Sequence, residues 1–113
     1  MRSTDEVLRK HLECRRALDL ESDLHQNYAD DVVLLSWGEG VHRGRDGVRL
    51  LAGVLRTYLP EGNYKYDDLI VADAYGLLRW LGTGPHDERL RGVDSFVVTQ
   101  GRISAQTINY VSG

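Results

Sequence analysis

One cysteine, two prolines, one phenylalanine and one methionine in 113 residues are the scarcities that narrow the problem first. A lone Cys14 builds neither an intramolecular disulfide framework nor a cysteine-based zinc cluster. It reads as a small apolar core residue, with nothing nearby to activate its thiol. Positive charge is not in excess: 14 Lys and Arg face 17 Asp and Glu, a formal charge of -3. That balance offers no general attraction to phosphate backbones and makes nucleic acid a poor partner. No apolar run reaches the roughly 18 residues of a membrane span, and Met1-Arg2-Ser3-Thr4-Asp5-Glu6 leads into mixed charge instead of a signal-peptide core. A cytoplasmic protein with no membrane association is the expectation. His11, His25, His42 and His86 show no His-Glu-x-x-His arrangement, and the glycines form neither a phosphate loop nor a dinucleotide fingerprint. No metal and no cofactor are therefore expected.

What is present suits one folded domain over residues 1–113. Hydrophobic residues at 42% and charged residues at 27% are enough for both a core and a wetted surface. Residues 5–19 read as an amphipathic helix capped by Thr4, with Val7, Leu8, His11, Leu12, Cys14 and Leu18 recurring at three- and four-residue intervals. A shorter helix is expected over 21–28, with Leu20, Leu24 and Tyr28 on one side. Branched and aromatic residues make 32–37 a strand, Gly38-Glu39-Gly40 a turn and 41–43 a brief second strand. A third helix follows from Arg45 or Asp46 to Tyr58. Gly53 weakens it unless close packing needs the missing side chain, and Pro60 and Gly62 stop it.

After Asn63 the period changes from helical to two. Residues 64–71, 75–83, 90–99 and 102–111 form four extended segments whose short connections favour antiparallel neighbours. The whole is an α+β fold, with N-terminal helices packed against a strongly curved antiparallel or mixed sheet.

Asp94 carries the clearest chemical signal. In Arg91-Gly92-Val93-Asp94-Ser95-Phe96-Val97-Val98 it shares a face with Phe96 and Val98. A carboxyl on an internal face must be paired, metal-bound or partly protonated; an Arg79, Arg91 or backbone partner would make it purely structural. His11 shares a helical neighbourhood with Val7, Cys14 and Leu18, where it either packs neutrally or exchanges a proton within a pocket. Trp37, Trp80, Phe96, Gln106 and Tyr110 are the candidate ligand-binding residues around these two catalytic candidates, although core packing alone would also account for the aromatics.

The helix, the Tyr28-Ala29-Asp30-Asp31-Val32 junction, the Val41-His42-Arg43-Gly44-Arg45-Asp46-Gly47 stretch, the Gly92-Val93-Asp94-Ser95-Phe96 strand and the late Gln100-Gly101-Arg102-Ile103, in that order, carry a family resemblance. The chain resembles the SnoaL-like and ketosteroid-isomerase-like proteins of the nuclear-transport-factor-2-like superfamily, the cystatin-like α+β barrels. That resemblance implies one SnoaL-like domain, a cone of sheet around helices with an apolar cavity, and association into a homodimer. It also implies a range of activities that fold alone cannot separate. Asp94 stands where the ketosteroid-isomerase pattern has its oxyanion-hole acid. The pattern's proton-moving aspartate falls at Ser36 and its helix-borne tyrosine at Leu12, so two of three central groups are missing and a steroid double-bond shift by that arrangement is not expected.

The expected function is a pocket for an apolar, oxygen-containing small molecule with acid-base chemistry of isomerase, cyclase or dehydratase type. Asp94 would serve as acid or hydrogen-bonding orienter and His11 as base. A non-catalytic ligand-binding module and a homodimeric structural or regulatory protein are the alternatives.

Overall fold

The computed structural model describes residues 1–59 and 63–113. Helices α1 (Thr4–Arg16) and α2 (Leu20–Asn27) lead into strands β1 (Tyr28–Ser36) and β2 (Gly40–Arg43). Helix α3 (Gly44–Tyr58) follows, then strands β3 (Asn63–Ala72), β4 (Tyr75–Thr83), β5 (Arg89–Thr99) and β6 (Arg102–Ser112). Pro60 and Gly62, assigned from sequence as the stop of α3, lie outside the described residues.

Helix α1 starts one residue earlier than its pattern suggests. Ser3, not Thr4, is the cap: its side chain accepts from the Glu6 backbone while the Glu6 carboxylate accepts from the Ser3 amide, a reciprocal capping box. Asp19 caps α2 by accepting from the Ser22 amide. Helix α3 buries Gly47, Val48, Leu51, Ala52 and Leu55 on one face. Packing does not explain Gly53, since nothing lies within 4 Å of where its Cβ would stand.

All six strands form one sheet in the order β2-β1-β6-β5-β4-β3. Neighbours are antiparallel except β1 and β6, which run parallel with Leu34 beside Gln106 and Leu35 beside Thr107. The sheet is open. The expected strong curvature and barrel are not formed, because β2 and β3 lie at opposite edges and do not pair with each other.

Helix α1 packs on α2, β3 and β4, and α3 packs on β1 and β2. The core lies between these helices and the inward residues of the strands, among them Val32, Leu34, Leu78, Trp80, Leu90, Phe96, Ile103 and Ile108. Among the described residues no helix is long and apolar enough to cross a membrane.

Candidate functional site

Inward residues of β4, β5 and β6 meet α1 and α3 around an internal cavity of about 50 Å³. Its polar lining is His11, Arg15, Tyr28, Tyr64, Tyr66, Trp80, Asp94 and Gln106. Apolar walls come from Leu34, Val48, Leu51, Ala52, Leu55, Leu78 and Ile108. Apolar walls facing a set of converging polar groups are the pattern of a small-molecule site.

Period-two alternation along β5 turns Asp94 inward, where it is 5% exposed. Both carboxylate oxygens accept hydrogen bonds from neighbouring strands. Trp80 Nε1 donates to Oδ1 at 2.9 Å and Gln106 Nε2 donates to Oδ2 at 3.1 Å. Each donor reaches Asp94 diagonally, since Trp80 pairs in register with Gly92 and Gln106 with Phe96. Gly92 makes the first contact possible: a Cβ there would stand 2.0 Å from the Trp80 ring.

Tyr28 sets the orientation of Gln106. Its hydroxyl donates to Gln106 Oε1 at 2.5 Å, which leaves the amide nitrogen facing Asp94. Burial pushes the Tyr28 hydroxyl well above its usual range, so it serves as a donor. Burial also lifts Asp94 from 3.8 to about 6, against the opposing pull of the Trp80 hydrogen bond, the neighbouring His11, the Gln106 hydrogen bond and Arg15.

His11 is buried on the inner face of α1. Its Nδ1 lies 2.8 Å from Oδ2 of Asp23, which is fully buried on α2. Asn27, one turn further along α2, donates to the other Asp23 oxygen at 2.8 Å, and Arg2 donates to Asn27 Oδ1 at 2.8 Å. A carboxylate at this position accepts from Nδ1–H, and in that tautomer of the neutral ring the lone pair is on Nε2. The rings of Tyr28 and Phe96 pack edge-on against the imidazole at 5.6 and 5.4 Å. No hydrogen bond joins His11 to Asp94; they are separate groups lining one cavity.

Of the residues singled out from sequence, His11, Asp94, Trp80 and Gln106 line the cavity together. Three do not. Trp37 is 95% exposed, because it continues the outward parity of Leu35 and leaves the sheet at the β1–β2 turn. Phe96 is buried but sits behind His11 as packing. Tyr110 lies outside the lining, beside Trp80 and Tyr58 at 6.2 and 6.0 Å. Ser36 and Leu12 do not line the cavity either.

The sequence reading missed Asp23, Tyr28 and Arg15 as site residues. Asp23 did leave a trace: Leu20, Asp23, Leu24 and Asn27 follow a core-facing helical spacing with polar residues at two of four positions. Among the described residues no group of three or more His, Cys, Asp or Glu side chains is arranged to hold a metal ion.

The SnoaL-like domain pattern matches residues 8–106, a span that includes His11, Asp23, Asp94 and Gln106. The chain belongs to the SnoaL-like family. Solved structures similar to this SnoaL-like domain include a candidate ketosteroid isomerase from Kribbella flavida, 20% identical, with a TM-score of 0.83 over 97% of this chain and 78% of that one. A candidate SnoaL-like polyketide cyclase from Mesorhizobium loti is 19% identical, with a TM-score of 0.72 over 95% of this chain and 98% of that one. SalBIII, an epoxide hydrolase/cyclase-like enzyme with a role in pyran ring formation in the polyether salinomycin, is 15% identical, with a TM-score of 0.76 over 96% and 90%. At these identities the SnoaL-like domain shares a fold with them and nothing more specific. No curated protein matches it.

Proposed function

We propose that the chain, as one SnoaL-like domain over 1–113, catalyses proton transfer on an apolar, oxygen-containing small molecule, chemistry of the isomerase, cyclase or dehydratase type. The observation that carries this reading is the buried Asp23–His11 pair at 2.8 Å, whose imidazole lines a cavity that Asp94 also lines while Asp23 stands behind it. A carboxylate behind Nδ1 orients the ring and stabilises the imidazolium formed when Nε2 takes a proton. Asp94 faces the same space with a carboxyl lifted to about 6, the range in which an acid can both give and take a proton near neutrality. His11 is the base and Asp94 the partner acid or orienter of the substrate oxygen. Trp80 and Gln106 hold Asp94 in place, and the relatives named as isomerase and cyclases make such chemistry a natural use of this fold.

The test is solvent-deuterium uptake next to the carbonyl of simple ketones such as cyclohexanone and acetophenone, followed by NMR. The expected result is acceleration by the wild-type chain and a loss of roughly 100-fold or more in His11→Gln and Asp94→Asn. Asp23→Asn should retain the ring but lose most of the rate, through the wrong tautomer. No acceleration, or unchanged rates in folded variants, would sink the mechanism. Binding without exchange would favour the non-catalytic reading, for which the small cavity volume speaks.

A homodimer is proposed as well, through the outer sheet face. There Leu77, Ser95, Thr107 and Leu35 form one cross-strand row, and Leu77 and Leu35 are 46% and 48% exposed. A monomer in sedimentation at micromolar concentration would count against it.

A further inference from the structure

The inner cavity shares three lining residues, Arg15, Ala52 and Tyr64, with an outer cleft of about 420 Å³. The cleft adds Leu18, Leu20, Leu59, Asn63 and a second cation, Arg56. Arg15 is half-buried, and among the described residues neither arginine has a carboxylate within ion-pair distance. The neighbouring acids on the helices are engaged elsewhere: Glu13 with Lys10, Asp19 with Ser22, and Glu21 with Arg49. Arg16, next to Arg15, lies over the Tyr66 ring at 5.2 Å and adds a third positive charge to this side of the mouth. The Tyr66 hydroxyl is a neutral hydrogen-bond partner for Arg15, so the half-buried guanidinium is left with its charge uncompensated. Between apolar walls it is suited to an incoming oxyanion, which it can hold by two parallel hydrogen bonds.

We propose that the substrate is a carboxylate-bearing carbonyl compound whose carboxylate is held by Arg15 and Arg56 beside Tyr64. Its carbonyl end enters the inner cavity. Size agrees with this division: where one water needs roughly 10–15 Å³, a cavity of about 50 Å³ admits only a few atoms beside His11 and Asp94 while the body stays in the cleft. The assignment rests on the inner cavity being the reaction site, but its test reads binding alone and so stands apart from turnover.

Hexanoate and hexanamide, equal in chain length and different in charge, are titrated into the full chain at pH 7.5 by calorimetry. Wild type should bind hexanoate at least roughly tenfold more tightly than hexanamide, and added salt should narrow the gap. Arg15→Gln should abolish that preference by weakening hexanoate alone, Arg15→Lys should restore part of it, and Arg56→Gln should have a smaller effect in the same direction. Circular dichroism confirms that each variant is folded. Equal affinity for the two probes, equal loss of both in Arg15→Gln, or binding of neither would overturn the proposal. Hexanoate binding that depends on Arg15, in a chain that fails the deuterium test, would retain the anion site and remove the proton-transfer mechanism.

Discussion

Trp80 lies against Gly92 on the adjacent strand so closely that the space for a β-carbon is already filled by the indole ring. That contact aims Nε1 at Asp94, two residues further along β5. One missing side chain thereby positions a donor on the buried acid.

Gly92→Ala tests this dependence. The new methyl would stand 2.0 Å from the ring, so Trp80 must move or β5 must shift. A loss of about 1–3 kcal/mol in denaturant unfolding is expected, with a displaced indole N–H resonance for Trp80. An unperturbed resonance at wild-type stability would show that the contact does not hold the ring.

The Asp94 carboxyl makes stability depend on pH in a direction opposite to that of a salt-bridged acid. Its folded value of about 6 lies above its ordinary 3.8, so between these values the folded chain holds the proton more tightly than the unfolded chain does. The contribution is greatest below about pH 4 and is lost as pH rises through 6. A shift of this size corresponds to about 3 kcal/mol. Glu6, Asp19 and Glu21 have lowered values and act in the other sense, their contributions present at higher pH and lost as pH falls. Comparison with Asp94→Asn therefore isolates the effect. Asn puts an amide where Trp80 and Gln106 both donate, a constant cost, but unfolding curves should move in the variant's favour by about 3 kcal/mol between pH 4 and pH 7.5. A gap that does not change with pH would rule out the raised carboxyl.

Gly53 sits inside α3 with no neighbour near its missing side chain. Gly53→Ala should stabilise the chain by roughly 0.5–1 kcal/mol by reducing the freedom of the unfolded backbone, read as a higher thermal midpoint. Destabilisation would reveal a role for the glycine that the packing does not explain.

Local pattern carried the elements well because each depends on neighbours in sequence. The alternation grouped Asp94 with Phe96 and Val98, and helical spacing grouped His11 with Val7, Cys14 and Leu18; the structure buries Asp94 and His11. What escaped is set by relations between elements. The Asp23 carboxylate and His11 belong to different helices, and only the packing of α2 on α1 brings them to 2.8 Å. The parallel pairing of β1 with β6 has no local signal, since no short connection announces it. Trp37 was misplaced because its ring suggests burial, while its strand parity, also readable, points outward. The open sheet departs from what the family resemblance implied because closure depends on whether the two edges meet, a property no single strand encodes.

The position of β6 between β1 and β5 has a consequence for the order of events during synthesis. Tyr28 leaves the ribosome 78 residues ahead of Gln106, the acceptor for its hydroxyl, and Asp94 emerges before the Gln106 amide that donates to its second oxygen. Until residues 102–112 arrive, the hairpin of β1 with β2 and the ribbon of β3 to β5 are two unjoined pieces with exposed strand edges. Strand β6 joins the sheet and completes the polar lining in the same event, so until its eleven residues emerge the nascent chain has both open edges and an unfinished cavity.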